Sequence, residues 1–145
     1  VTKLTEKFKK NDVLKSIIFE DTKKNIKDHL NLYQKIDIAL DTFPYNGVTT
    51  SFEAIWMGVP VLTMKGYNFH SRCGESINKN IKLDCLIAKN ENDYFIKAKE
   101  LSENTEMLLN IRKMIFKDAL TSPLFDVKRF SNEFFNSLEK IYNQL

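Results

Sequence analysis

Hydrophobic and polar positions follow two rhythms along the chain. Up to Asn90 the apolar residues come in short runs separated by polar, turn-forming stretches; beyond it they recur every three or four residues. Thr2 to Lys15 reads as a charged amphipathic helix, and Ser16-Ile17-Ile18-Phe19, ending at Glu20-Asp21, as a buried strand followed by a polar loop. Between Asn25 and Lys35 the spacing of Ile26, Leu30 and Tyr33 predicts a helix that buries one stripe. Ile36 to Asp41 reads as a second strand. The stretch 42–48 carries Pro and Asn-Gly turn chemistry, and Thr49-Thr50-Ser51 offers caps for a helix with its body at Phe52 to Met57. Gly58 and Pro60 predict where that helix stops. Val59 to Met64 reads as a third strand, Lys65 to Arg72 as a polar and basic loop, and Asp84 to Ala88 as a fourth, weaker strand. Three helices follow, over Asn92 to Glu103, Glu106 to Leu120, and Asp126 to the end. The last carries a broad stripe of Val127, Phe130, Phe134, Leu138 and Ile141, widened by Phe135 and Tyr142.

Strands alternating with helices predict an α/β fold with a parallel sheet flanked by helices, and the chain ends in further helices. With 145 residues, 43% apolar and 28% charged, the chain is expected to form a single domain over 1–145. A formal charge of +3 from 22 basic and 19 acidic residues is too slight and too evenly spread to suggest a nucleic-acid surface. A small anionic ligand remains open. No apolar run approaches the ~18 residues of a membrane helix, and no leader pattern opens the chain, so a soluble, cytoplasmic protein without a membrane partner is expected. Cys73 and Cys85 lack CxxC spacing and a surrounding His cluster, which supports neither zinc nor a disulfide framework. The first residue is Val1, consistent with a piece of a longer protein.

In open parallel sheets ligands gather at the carboxyl ends of the strands, which directs attention to 20–25, 41–51 and 65–72. At 41–51 a strand end, a turn and three consecutive hydroxyl residues lead into a helix whose free N–H groups and dipole favour an anion such as a diphosphate. Thr50 and Glu53 also fit an S/T-x-x-E capping box, which needs no ligand. A carboxylate in the first turn would repel a phosphate on the same N–H groups. Both are satisfied if the phosphates sit on Thr49 and Thr50 while Glu53 accepts from sugar hydroxyls. The 65–72 loop supplies Lys65, His70 and Arg72, and an Arg fork matches a diphosphate well, although a lone loop Arg is commonly a solvated group. His29 lies in a helix on the same side as these loops if the strand order is regular, although a single His is usually a partly exposed helical residue. The absence of GxGxxG, GxxxxGK[ST] and GxSxG removes the usual dinucleotide, P-loop and serine-hydrolase readings.

The segment IDIALDTFPYNGVTTSFEAIWMGVP, from Ile36 to Pro60, closely resembles the catalytic C-terminal region of the O-GlcNAc transferase and SPINDLY glycosyltransferases. The resemblance continues through Val61 to Met64, Ser71-Arg72 and Ser122-Pro123-Leu124-Phe125. It implies the C-terminal, donor-binding lobe of a GT-B enzyme, a Rossmann-like parallel sheet flanked by helices with extra C-terminal helices. The family's N-G-x-T-T loop holds the donor diphosphate, which by resemblance gives Asn46, Gly47, Thr49 and Thr50 that role, Glu53 the ribose, and His29 the nucleotide side. Arg72 would stabilise the diphosphate as the catalytic group. Val48 stands where relatives carry His or Gly, and Ile26 where a basic residue is usual, with Lys24 and Lys27 nearby.

The resemblance further implies a nucleotide-sugar donor such as UDP-GlcNAc, no obligatory metal, and transfer with inversion to Ser or Thr of a protein acceptor. The partners would be an N-terminal catalytic lobe and a tetratricopeptide (TPR) region of the same chain. The alternatives are a GDP-sugar donor, as in a fucosyltransferase, and a non-catalytic interaction module that retained the lobe. A Phe-rich last helix broad enough to cover two lobes is expected to leave some Phe exposed in this one.

Overall fold

The computed structural model describes residues 2–144. Among them, three short parallel strands form one sheet: β1 (Ala39–Leu40), β2 (Val61–Met64) and β3 (Ile87–Ala88), in that spatial order. Ala39 pairs with Val61 and Leu40 with Leu62, while Thr63 pairs with Ile87 and Met64 with Ala88. β1 therefore lies along the first half of β2 and β3 along its second half. All four residues of β2 are buried, as expected of a central strand covered on both faces.

Seven α-helices accompany this sheet among the described residues: α1 (Thr2–Lys10), α2 (Ile26–Asn31), α3 (Thr49–Trp56), α4 (Cys73–Asn80), α5 (Glu91–Glu103), α6 (Thr105–Thr121) and α7 (Val127–Tyr142). The helices α4 and α5 pack on β2, and α6 packs on α3 and α5. Ile55, Leu62, Ile81, Leu86, Leu101 and Ile115 are the large, fully buried side chains of one continuous core. None of the helices among the described residues is long and apolar enough to cross a membrane.

The helix signals act as expected at several ends. Gly58, at φ +74°, closes α3: its N–H donates to the Ile55 carbonyl and that of Val59 to the Ala54 carbonyl, the paired bonds of a Schellman motif. Asn25, Asn90, Asn104 and Asp126 each accept a backbone N–H from the first turns of α2, α5, α6 and α7.

Two expectations are corrected. Residues 16–19 do not form a strand: a 3₁₀ turn covers Leu14–Ser16 and Ile18 is 85% exposed. An apolar run becomes a strand only beside a partner that completes its ladder, and β1 pairs only with β2. The segment is held instead by a Phe8–Phe19 ring contact and by Glu20, which accepts from Lys23 at 2.9 Å and Lys35 at 2.7 Å. The second correction is α4, which has no sequence counterpart above because CGESINKN lacks an apolar stripe. It is anchored by polar groups: buried Asn78 donates through Nδ2 to the carbonyls of Val61 and Leu86, joining β2 to the turn before β3.

At the other end of the chain, α7 leaves Phe130, Phe134, Phe135, Leu138 and Ile141 exposed, as its broad stripe predicts. Ile115→Ala should lower the unfolding free energy by about 2–5 kcal/mol in a urea titration, and Ile18→Ala should change it by no more than about 0.5 kcal/mol. A comparable loss at both positions would mean that 16–19 is packed as a strand.

Candidate functional site

The chain leaves the sheet at Asp41, whose N–H continues the ladder to the Leu62 carbonyl at 2.9 Å. Its carboxylate then joins three parts of the fold. Oδ1 accepts the Gly47 N–H at 2.7 Å, and Oδ2 accepts the hydroxyl of Thr63, a buried residue of β2, at 2.7 Å. The Asp41 carbonyl accepts the Tyr94 hydroxyl of α5 at 2.9 Å. Burial raises the Tyr94 hydroxyl to about 12, with the Asp41 charge adding to the shift. A Cβ on Gly74 would collide with Thr63 Oγ1 and Asp41 Oδ2, so glycine lets α4 approach this knot.

Asn46, 1% exposed, fixes the turn itself. Its Nδ2 donates to the Thr42 carbonyl at 2.9 Å, its N–H to the His70 carbonyl at 2.9 Å, and its Oδ1 accepts the Gly74 N–H at 3.3 Å. Gly47 is required next, because a Cβ there would strike Thr50 Oγ1. Of the candidates, Asn46 and Gly47 thus shape the loop through their own hydrogen bonds.

The turn delivers the chain into α3 with Val48 as N-cap and no side-chain cap. The expected Thr50–Glu53 capping box is absent. The helix begins at Thr49, which makes Thr50 an interior residue and carries Glu53 past the position from which a carboxylate reaches back to a cap. The N–H groups of Thr49, Thr50 and Ser51 meet no protein acceptor among the described residues, so the positive end of the helix dipole stays open.

Glu53 turns toward α2 and the 3₁₀ turn Leu32–Lys35. Its Oε2 lies 2.9 Å from His29 Nε2 and accepts the Tyr33 hydroxyl at 3.0 Å; that hydroxyl is also 3.3 Å from the Thr50 carbonyl. The rings of His29 and Tyr33 meet edge to face at 6.0 Å. Burial, then the hydrogen bond and charge of Glu53, push the Tyr33 hydroxyl up to about 12, so it remains a donor at neutral pH. Tyr33, Asp41, Gly47, Thr50 and Ser51 line a hollow of about 160 Å³ beside the start of α3.

Arg72 lies in a neighbouring hollow of about 540 Å³, lined also by Val48, Phe52, Phe69, Ile77 and Leu124. Its Nε donates to Glu75 Oε2 at 2.9 Å and its side chain is 56% exposed. The structure therefore gathers His29, Glu53 and Thr50 on one side of the α3 start and sets Arg72 on the other. His70 stacks on Tyr45 at 5.6 Å, and Lys65 is exposed. Among the described residues, no group of three or more His, Cys, Asp or Glu side chains could hold a metal ion.

Two residues of this arrangement were missed as functional candidates. Tyr33 follows His29 by four positions, a spacing that puts both on one helical face. Asp41 ends its strand, where site residues of open sheets gather.

Asp41→Ala should leave the Gly47 N–H and Thr63 hydroxyl without their acceptor and cost about 1–3 kcal/mol. Faster hydrogen exchange at Gly47 would accompany the loss, and an unchanged exchange rate there would show that the carboxylate does not hold the turn. Glu75 yields a pH test. The hydrogen bond from Lys79, aided by Arg72, holds its carboxyl below the ordinary glutamate range against the opposing effect of burial. A lowered folded-state value stabilises the fold above the unfolded-state value, and this contribution disappears as pH falls through the folded one. Glu75→Gln should flatten the acid limb of Tm against pH; an unaltered slope would place the acid sensitivity elsewhere.

The family model for glycosyl transferase family 41 matches residues 2–134. A tomato (Solanum lycopersicum) protein named probable UDP-N-acetylglucosamine–peptide N-acetylglucosaminyltransferase SPINDLY is 37% identical over 118 residues, 81% of this chain and 12% of the relative. Its namesake from Eustoma exaltatum is 41% identical over 103 residues, 71% of this chain and 11% of the relative. A mutant of Thermobaculum terrenum O-GlcNAc transferase superposes with a TM-score of 0.90 at 27% identity, over 99% of this chain and 28% of that one. The chain thus spans about an eighth of the length of these plant relatives. With a parallel three-stranded sheet and a family match running through nearly all of its length, this chain belongs to glycosyl transferase family 41.

Proposed function

We propose that this chain is the nucleotide-sugar-binding lobe of an inverting protein O-glycosyltransferase that transfers a sugar from a UDP-GlcNAc-like donor to Ser or Thr. The observation that carries this reading is the row of open N–H groups at Thr49, Thr50 and Ser51, at the carboxyl end of β1. A diphosphate placed there would meet partial positive charge that needs no rearrangement. Asn46 and Gly47 would shape its loop, Glu53 would accept from ribose hydroxyls, and His29 would stand on the nucleotide side. Arg72, whose terminal guanidinium nitrogens carry no bond among the described residues, would reach in from the neighbouring hollow.

The chemistry follows from where charge develops. As the bond from the anomeric carbon to the diphosphate breaks, negative charge accumulates on the leaving oxygens. Fixed N–H dipoles and a guanidinium stabilise that state more than the ground state. This lobe would supply no nucleophile, because the attacking oxygen belongs to the acceptor. UDP is preferred to GDP because the names of the relatives carry UDP-N-acetylglucosamine. The acceptor would enter against an N-terminal catalytic lobe of the same chain, with a TPR region farther out. The reading includes a cytoplasmic setting and no obligatory metal.

Titration with UDP should shift the amide resonances of 46–53 and Arg72, and GDP should do so less. In the full-length enzyme Thr50→Val or Arg72→Ala should lower the transfer rate roughly ten- to a thousandfold, the scale of removing one charge-stabilising donor. No shift at millimolar UDP would overturn the donor-lobe reading and favour a non-catalytic interaction module, for which the exposed Phe face of α7 offers a surface.

A further inference from the structure

Arg72 and Lys79 converge on one buried carboxylate. Arg72 Nε donates to Glu75 Oε2 and Lys79 Nζ donates to Glu75 Oε1, each at 2.9 Å. The Glu75 side chain is only 5% exposed, against 56% for Arg72 and 54% for Lys79. A carboxylate so far out of water stays ionised only if its oxygens meet donors, and the Lys79 bond, aided by Arg72, keeps it so. Its place in the first turn of α4 adds the attraction of that helix's dipole. The anion is therefore a fixed point, and the two cations are the mobile partners. All three side chains line the hollow of about 540 Å³ that also takes in Val48, the N-cap of α3.

We propose that Glu75 is a positioning residue for sugar transfer: it holds Arg72 through Nε, so that the guanidinium is ordered in the hollow beside the start of α3 with both terminal nitrogens open to the leaving diphosphate. The inference rests on the donor-lobe reading, in which Arg72 meets that diphosphate. Three features separate this pair from an ordinary surface ion pair. An exposed i,i+3 pair orders little because both partners are solvated, whereas here one partner is buried and can fix the other. The bond uses the inner nitrogen of the guanidinium, and the outer two carry no bond among the described residues. Lys79, by contrast, engages the carboxylate through its only side-chain nitrogen. Finally, the charges do not cancel. Two cations share one anion, so Glu75 can hold Arg72 while Lys79 compensates the negative charge and the cluster stays positive toward the hollow. A guanidinium already ordered in this way loses less rotamer freedom when it engages the charge that develops on the leaving group.

Kinetics of the full-length enzyme test this. Glu75→Met keeps the length of the side chain and removes both acceptor oxygens. It should lower kcat and kcat/KM for the donor together by about three- to tenfold, the scale of leaving one long side chain unordered. The deciding arm repeats the substitution in an Arg72→Ala background. No guanidinium is left there to hold, and Glu75→Met should change kcat by less than about twofold. A purely structural role would produce the same loss on both backgrounds, and that result overturns the proposal. An unchanged rate would mean that Arg72 needs no holding, and a raised one that Glu75 masks its charge; either also overturns it. Should Glu75→Met fail to fold, Glu75→Gln takes its place. It keeps the bulk and removes the charge, so a smaller loss is expected that again vanishes with Arg72→Ala, and equal effects on both backgrounds overturn the proposal. An Arg72→Ala enzyme of unchanged rate overturns it as well. In that case the donor-lobe reading stands if UDP still shifts the amide resonances of 46–53, and falls too if UDP shifts none.

Discussion

The carboxylate of Asp41 is the constraint on which the candidate site depends. It stands at the point where β1 ends, and its two oxygens are taken by groups far apart in sequence, the Gly47 N–H and the Thr63 hydroxyl. A single ionised group therefore fixes the turn after β1 against the central strand. Because hydrogen bonds to a charged acceptor are the stronger kind, this junction constrains the direction in which α3 leaves the turn. The Asn46 side chain braces the same turn at the Thr42 carbonyl and ties it to the start of α4 by accepting the Gly74 N–H. Glycine at 47 and 74 follows from these contacts, because each approach leaves no room for a side chain.

With the turn fixed in this way, the electrostatic character of the site is mostly a property of backbone. α3 starts without a side-chain cap, an arrangement that leaves donors unpaired and is normally avoided. Thr50 and Ser51 of its first turn line the hollow between β1, the turn and Tyr33. The Glu53 carboxylate, beyond that first turn, is bound to His29 and Tyr33. Unsatisfied donors with no acidic side chain in the same turn form a surface suited to an anion, and leaving them unpaired does not stabilise the folded chain.

Much of the architecture was legible from the residues. Pro and Asn-Gly at 42–48 announced the turn, Gly58 the end of α3, and three- and four-residue periodicity the helices after Asn90. Local sequence failed where a neighbour decided the outcome. Ile17-Ile18-Phe19 has the composition of a strand but no strand beside it to complete a ladder. The α4 segment looks too polar for a buried helix, yet Asn78 finds two carbonyl partners inside the fold. At the site, Thr49, Thr50 and Glu53 were recognisable as a group, and the sequence left two geometries open for them. The helix starts two residues earlier than a Thr50 cap requires, and this excludes the capping box.

The residue order by itself determined the family, the parallel α/β pattern and the stretch in which donors would converge, because these depend on short-range spacing and on residue types with fixed backbone preferences. Tertiary structure alone decided which way the Glu53 side chain turns, that Tyr33 and His29 are its partners, and that Arg72 occupies a separate hollow bound to Glu75. The Glu53 contacts, and the placing of Arg72 in a hollow with Val48 and Leu124, depend on distances between segments twenty or more residues apart. No local propensity encodes such distances; they are fixed only when the core closes and brings α2 against α3.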